Sequence, residues 1–202
     1  MPARCEKRGV IMAVFYTPHT GKRATIKCGD ILINNNTFSP AHCGIVVSNQ
    51  DVIHATGKGI KIDDIDMWGN NADMFRSATD LTTAEAGKLE RIAQEIKDSA
   101  SYGVGRAAFK STFSTHTAAE GTHQRLNKYR ERLKNHQGVV KHVYCSELVI
   151  LCYQLAWIES DAINANHRLF IQLDGKHTWP STLRRYLRSN ANFKELGEYK
   201  KA

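Results

Sequence analysis

An α+β fold is expected for this chain of 202 residues, on three observations. β-rich runs crowd the part before residue 79. A capped amphipathic helix follows them. A strongly apolar helix at 145–157 comes late, after a polar basic stretch and before another β-rich run. The expected architecture is a central antiparallel sheet, or a partial barrel, packed against that late helix. The domain reading is an N-terminal extension over 1–23 and a single domain over 24–202, carrying a variable basic insert at about 103–142.

The elements follow in order. "ATIKCGDILIN" (24–34) reads as a strand entered through a Gly-Asp turn. "AHCGIVVS" (41–48) and "DVIHAT" (51–56) are β-rich runs on either side of "SNQ", a hairpin signal. "GIKIDDIDMW" (59–68) and "DMFRSA" (73–78) predict further strands or edges. A helix starts after Leu81: Thr82 or Thr83 can cap it, Glu85 follows, and Leu89, Ile92, Ala93 and Ile96 form its apolar stripe. It ends near "SYGVG". Residues 103–122 are rich in Gly, Ala, Ser and Thr without a clean period and read as a long loop. Residues 123–136 predict a polar, basic helix. Residues 145–157 predict a mostly buried one, apolar at 148, 149, 151, 152, 155 and 156. "RLFIQL" (168–173) reads as a strand, "WPSTLRRYLRS" (179–189) as a short Pro-initiated helix, and "FKELGEY" (193–199) as a last strand or tail. No internal repeat is visible.

Composition narrows the classes. No run approaches the ~18 apolar residues of a membrane span. "VIMAVFY" (10–16) follows basic residues but is too short and unsuitably flanked for a signal peptide, and Met12 is an alternative start. A soluble chain made in the cytoplasm is expected. Five cysteines (Cys5, Cys28, Cys43, Cys145, Cys152) cannot all pair and show no CxxC spacing, which argues for a reducing compartment and against a disulfide framework. The net charge of +8 favours anionic partners. Much of it sits in "HQRLNKYRERLKNHQGVVKH" (123–142), where a solvated helix face explains it as well.

The chemistry centres on "VYCSELVI" (143–150), which puts Cys145 in the predicted first turn of the late helix. A thiol attacks as thiolate, and a helix N-terminus with a neighbouring imidazolium lowers its pKa from ~8.5 into the range of roughly 3.5–7.5. The unsatisfied N–H groups of that turn favour an anion and can later hold an oxyanion. Glu147 complements the helix dipole there, and Cys152, seven residues on, reads as core. The base is sought among nine histidines: 19, 42, 54, 116, 123, 136, 142, 167 and 177. Most fall in polar stretches, but His42 and His54 lie on the two neighbouring β-runs. If Ser48–Gln50 form a three-residue turn, Val47 opposes Asp51 and His54 falls opposite Gly44. His42 and His54 then share one sheet face, with Gly44 leaving room beside the rings. His42 is the expected base and His54 the group that orients it.

"CGDILI", "AHCGIVVSNQDVIHATGKGI" and "YCSELV" together resemble the NlpC/p60 superfamily of papain-like cysteine peptidases and amidases. The nucleophile helix follows the strands here, so the resemblance is to the circularly permuted, bacterial YiiX-like branch, in which histidine precedes cysteine. It covers about residues 28–65 and 143–158. It implies a permuted papain-like domain with Cys145 as nucleophile, His42 as base and His54 as orienting residue, and no cofactor. The insert at 103–142 has no counterpart and is expected to shape substrate access. No motif identifies a residue completing the oxyanion hole; Tyr16 and Tyr144 are the candidates.

Competing readings treat Cys145 and Cys43 as small buried hydrophobes and both histidines as satisfied strand residues. A metal site from His42, Cys43, His54 and Cys145 is disfavoured because His42 and Cys43 point to opposite strand faces. A His142–Cys145 pair lacks further ligands. Three functions remain. The resemblance implies first an amide hydrolase cutting bacterial peptidoglycan peptides. A wall enzyme without a signal peptide then suggests delivery to a target periplasm as an antibacterial effector, neutralised by a cognate immunity protein. A lipid or thioester acyl hydrolase or acyltransferase of the lecithin:retinol acyltransferase-like type is second, though that type reads Asn-Cys-Glu-His-Phe around its cysteine and "YCSELV" does not. A non-enzymatic nucleic-acid binder is third, without an accompanying motif. A cytoplasmic amidase acting on small peptides is the alternative to export. A monomer with no integral membrane association is expected.

Overall fold

The structure, a computed structural model, describes residues 25–34, 41–47, 50–68, 72–99, 101–102, 120–134, 142–159 and 162–199. The expectations placed on the N-terminal extension 1–23, on Met12, on Tyr16 and on the loop at 103–119 lie outside these residues.

Strands β1 (Ile31–Asn34), β2 (Cys43–Val46), β3 (Asp51–Thr56), β4 (Gly59–Asp64), β5 (Ala72–Ser77) and β10 (Phe193–Tyr199) form one six-stranded sheet in the order β10-β5-β1-β2-β3-β4. Every neighbouring pair in it is antiparallel. Two-residue pairs β6 (Ser101–Tyr102) with β7 (His142–Val143), and β8 (Ile158–Glu159) with β9 (Ala162–Ile163), stand apart from it. The helices are α1 (Thr83–Ser99), α2 (Glu120–Lys134), α3 (Cys145–Leu155) and α4 (Pro180–Ser189). The fold is α+β, a six-stranded antiparallel sheet with four helices among the described residues.

Side-chain alternation assigns the two faces of the sheet. Ile31, Ile33, Cys43, Ile45, Ile53 and Phe75 join the larger core with the apolar residues of α1 and α3. Their strand neighbours Leu32, Val46, Val52 and Met74 point the other way, into a smaller cluster with Ile65 and Tyr199. Both faces are covered, so these strands read as mostly apolar runs. Helix α3 is buried along its whole length, packed on β2, β3 and α1. That explains why its sequence is apolar all round.

The Gly-Asp turn before β1 is present. Gly29 has φ 87°, and a Cβ there would lie 2.6 Å from Leu81 Cδ1, so glycine is required twice over. Asp30 is fully buried and accepts two hydrogen bonds from Arg76, Nε at 2.7 Å and Nη2 at 2.6 Å. Tyr153 Oη on α3 donates to the Gly29 carbonyl, which ties the turn to the helix. At α1, Thr82 Oγ1 accepts from the Glu85 N–H at 3.2 Å and Glu85 Oε2 accepts from the Thr82 N–H at 2.8 Å, the predicted capping pair. Proline starts α4 as expected, and "FKELGEY" is β10 on the edge of the sheet.

"RLFIQL" is not a strand. Leu169, Phe170 and Ile171 are buried, but the segment is irregular and joins no sheet. Its carbonyls are satisfied from a helix: Gln154 Nε2 on α3 donates to Ile171 O and Leu173 O, each at 2.8 Å. A buried amide side chain here replaces a partner strand. Among the described side chains of the basic helix α2, Leu126 enters the core and Tyr129 packs against it.

Candidate active site

The hairpin register is the one expected from the turn length. Gly44 opposes His54, Val46 opposes Val52, and the Val47 N–H donates to Asp51 O at 2.9 Å. His42, just before β2, therefore reaches His54 on the same face, Nε2 to Nδ1 at 2.7 Å.

Strand β4 adds a group that the sequence reading missed. A two-residue turn joins Thr56 to Gly59, which sets Asp63 opposite Val52 and on the face that carries His54. Asp63 Oδ2 lies 2.8 Å from His54 Nε2. The carboxylate has only acceptors, so it takes the Nε2–H of His54. The bare Nδ1 of His54 then accepts the Nε2–H of His42. That leaves Nδ1 of His42 as the nitrogen for Cys145, which His42 also hydrogen-bonds. Asp63, His54, His42 and Cys145 form one continuous line.

Trp68, in the short 3-10 turn after β4, was likewise not foreseen. Its ring stacks on His42 at 5.0 Å with 20° between planes and lies 5.1 Å from His54. The space beside Gly44 belongs to this indole: a Cβ on Gly44 would sit 2.7 Å from Trp68 Cζ2.

Cys145 is the first residue of α3, with Tyr144 as an extended N-cap that makes no side-chain cap. The first α-helical bond of that turn runs from the Leu148 N–H to Tyr144 O, so the earlier N–H groups lie at the end of the helix that carries Cys145. The residue is 6% exposed. Its pKa is held well below that of an ordinary thiol. The largest cause is a hydrogen bond with the Cys43 thiol. Burial opposes it, and the hydrogen bond and charge of His42, with the Cys43 N–H, reinforce it. Burial lowers the pKa of His54, against the pull of Asp63.

His42 and Cys43 have different surroundings, His42 against His54 and Cys43 in the larger core, yet both interact with Cys145. Among the described residues no group of three or more His, Cys, Asp or Glu is arranged to hold a metal ion. Tyr144 is committed elsewhere than to an oxyanion hole, since its hydroxyl donates to Lys176 O at 3.1 Å. Ser146 Oγ donates to Thr178 O at 2.5 Å, and Gly175 packs on Glu147. The segment 174–178 thus clamps the first turn of α3. Glu147 is buried there as a helix-start residue, and Cys152 is fully buried core. Of the other histidines, His167 stacks on Trp157 at 3.9 Å, and His19, His116 and His136 lie outside the described residues.

Chemically, the arrangement can hold a thiolate, take its proton on His42, and steady the resulting imidazolium through His54 and Asp63. Comparison with protein-family models, with curated proteins and with solved structures gives no match.

Proposed function

We propose that this chain is a cysteine-dependent amide hydrolase of the permuted NlpC/p60, papain-like type, cutting peptide bonds of bacterial peptidoglycan. One observation carries the reading: the unbroken hydrogen-bonded line from Cys145 through His42 and His54 to Asp63, starting at a helix N-terminus. A lone buried cysteine needs no such line behind it. Histidine before cysteine, the hairpin register and the helix docked on β2 and β3 agree with what the resemblance implies.

Cys145 attacks the amide carbonyl as thiolate, and the oxyanion develops beside the first-turn N–H groups of α3. His42 passes the proton to the leaving amine. It then takes one from water, which releases the acyl group from sulfur. The net charge of +8 suits a polyanionic wall. Because that substrate lies outside the cytoplasmic membrane, delivery to a target periplasm as an antibacterial effector, with a cognate immunity protein, belongs to the same proposal.

Digestion of purified peptidoglycan and of a phospholipid panel by wild type and Cys145→Ala tests the reading. Peptide-stem fragments bearing new amines, produced by wild type only, support it. Fatty acid release supports the acyl-hydrolase alternative instead. Turnover by Cys145→Ala overturns both.

A further inference from the structure

Cys43 opens β2, the strand on which the helix headed by Cys145 packs. It is fully buried, lies in the same core cluster as Cys145, and is a free thiol, as is Cys145. Both its side chain and its N–H hydrogen-bond the Cys145 sulfur. The hydrogen bond that holds down the Cys145 pKa needs only a side-chain donor at this position, and a serine hydroxyl would supply that equally well. What a serine lacks is the redox chemistry of a second sulfur. Two thiols in direct contact, one of them at a helix N-terminus beside an imidazole, form the arrangement from which a disulfide closes without a search for its partner.

We propose that Cys43 is a resolving thiol, and that a hydroperoxide converts the pair into a reversible Cys43–Cys145 disulfide. The Cys145 thiolate attacks the terminal peroxide oxygen, breaking the O–O bond. This gives Cys145 sulfenic acid and an alkoxide, which leaves as the alcohol after taking up a proton. The Cys43 sulfur then attacks the sulfenic sulfur. The S–S bond forms, hydroxide departs, and the Cys43 proton leaves with it as water. The two thiols together lose two electrons and two hydrogens, and the peroxide is reduced to alcohol and water. The disulfide silences the nucleophile while sparing it the irreversible sulfinic and sulfonic states. A dithiol reductant reverses it by exchange. Cys152, seven residues along the same helix, is an internal control: it is fully buried, and burial pushes its thiol far up, away from thiolate.

This inference shares the Cys145 thiolate with the proposed function but is independent of the bond cut, so mass rather than activity tests it. The reduced full-length protein is titrated with hydrogen peroxide, quenched by alkylation, and read by intact mass and peptide mapping. Wild type is expected to lose two hydrogens, to yield a linked peptide pair containing Cys43 and Cys145, and to recover fully with dithiothreitol. Cys152 stays reduced throughout. In Cys43→Ala, Cys145 is expected to gain oxygen irreversibly. If that variant does not fold, the wild-type linkage map decides alone. Oxygen gain at Cys145 in wild type, a linkage from Cys145 to another cysteine, or no reaction at all overturns the proposal. Wall cleavage without the disulfide fails this inference alone, and the disulfide without cleavage fails the proposed function alone.

Discussion

His54 gives its Nε2–H to Asp63 at 2.8 Å, and so the ring behind His42, the proposed base, is itself fixed in one tautomer by a carboxylate on the next strand. Removing the base is the gravest lesion: His42→Ala is expected to lower turnover by about 10²–10⁴. Removing the ring that orients it, in His54→Ala, leaves measurable activity. Asp63→Asn is milder still, with a loss on the order of tenfold. It also moves the pH profile of Cys145 alkylation upward, because the His42 imidazolium loses a distant countercharge. An unchanged profile in Asp63→Asn would show that the carboxylate only decorates the edge of the sheet.

The thiolate is measurable without a substrate. Cys145 is expected to alkylate with a midpoint well under the 9.0 of an unperturbed thiol, and to return toward it in denaturant. Cys43→Ala removes the strongest of the influences that lower it, so its midpoint lies above that of wild type. Rate against pH with iodoacetamide, followed by peptide mass, reads both shifts.

Stability should depend on His54 over a defined pH window. Burial lowers its folded pKa below the unfolded 6.5. Above 6.5 the ring is neutral in both states and its contribution is constant. As pH falls below 6.5 the unfolded chain takes up a proton that the folded chain does not, so stability declines until the folded value is passed. Burial lowers His167 too, so the comparison is with His54→Gln. Denaturant unfolding between pH 7 and 5 should slope less steeply in that variant. Parallel slopes would remove His54 from the linkage.

Gly44→Ala strikes the indole wall. Its Cβ would meet Trp68 Cζ2 at 2.7 Å, Val52 Cγ1 at 2.8 Å and Ile53 O at 2.9 Å. A backbone carbonyl cannot swing aside as a flexible side chain does, so a cost of about 1–3 kcal/mol is expected. Trp68 is displaced from His42, which a change in tryptophan fluorescence reports alongside the fall in denaturation midpoint. Wild-type emission in the variant would mean the sheet absorbs the methyl without disturbing the stack.

Much of the site was legible because it rests on counting. Alternation along β2 and β3 with a three-residue turn puts His42 and His54 together. The same counting finds Asp63: a two-residue turn at "TGKG" pairs Val52 with Asp63 and aligns it with His54. That signal was present in the sequence, but an acidic residue on an outer strand reads as a solvated charge. Trp68 had no signal, since its position follows from a short 3-10 turn that carries no period. The clamp at 174–178 and the irregular course of "RLFIQL" were hidden for a different reason. Buried apolar residues in a short run look alike whether neighbouring backbone or a side chain such as Gln154 satisfies their carbonyls.

The clamp on the first turn of α3 reaches forward 32 residues in each of its two hydrogen bonds, Tyr144 to Lys176 and Ser146 to Thr178. During synthesis the histidine hairpin leaves the ribosome long before the sulfur it serves, and the sulfur emerges before the segment that holds its helix in place. The complete apparatus is therefore assembled late, after Thr178 has been released. Under the proposed function, a nascent chain therefore carries no competent site until that segment is out.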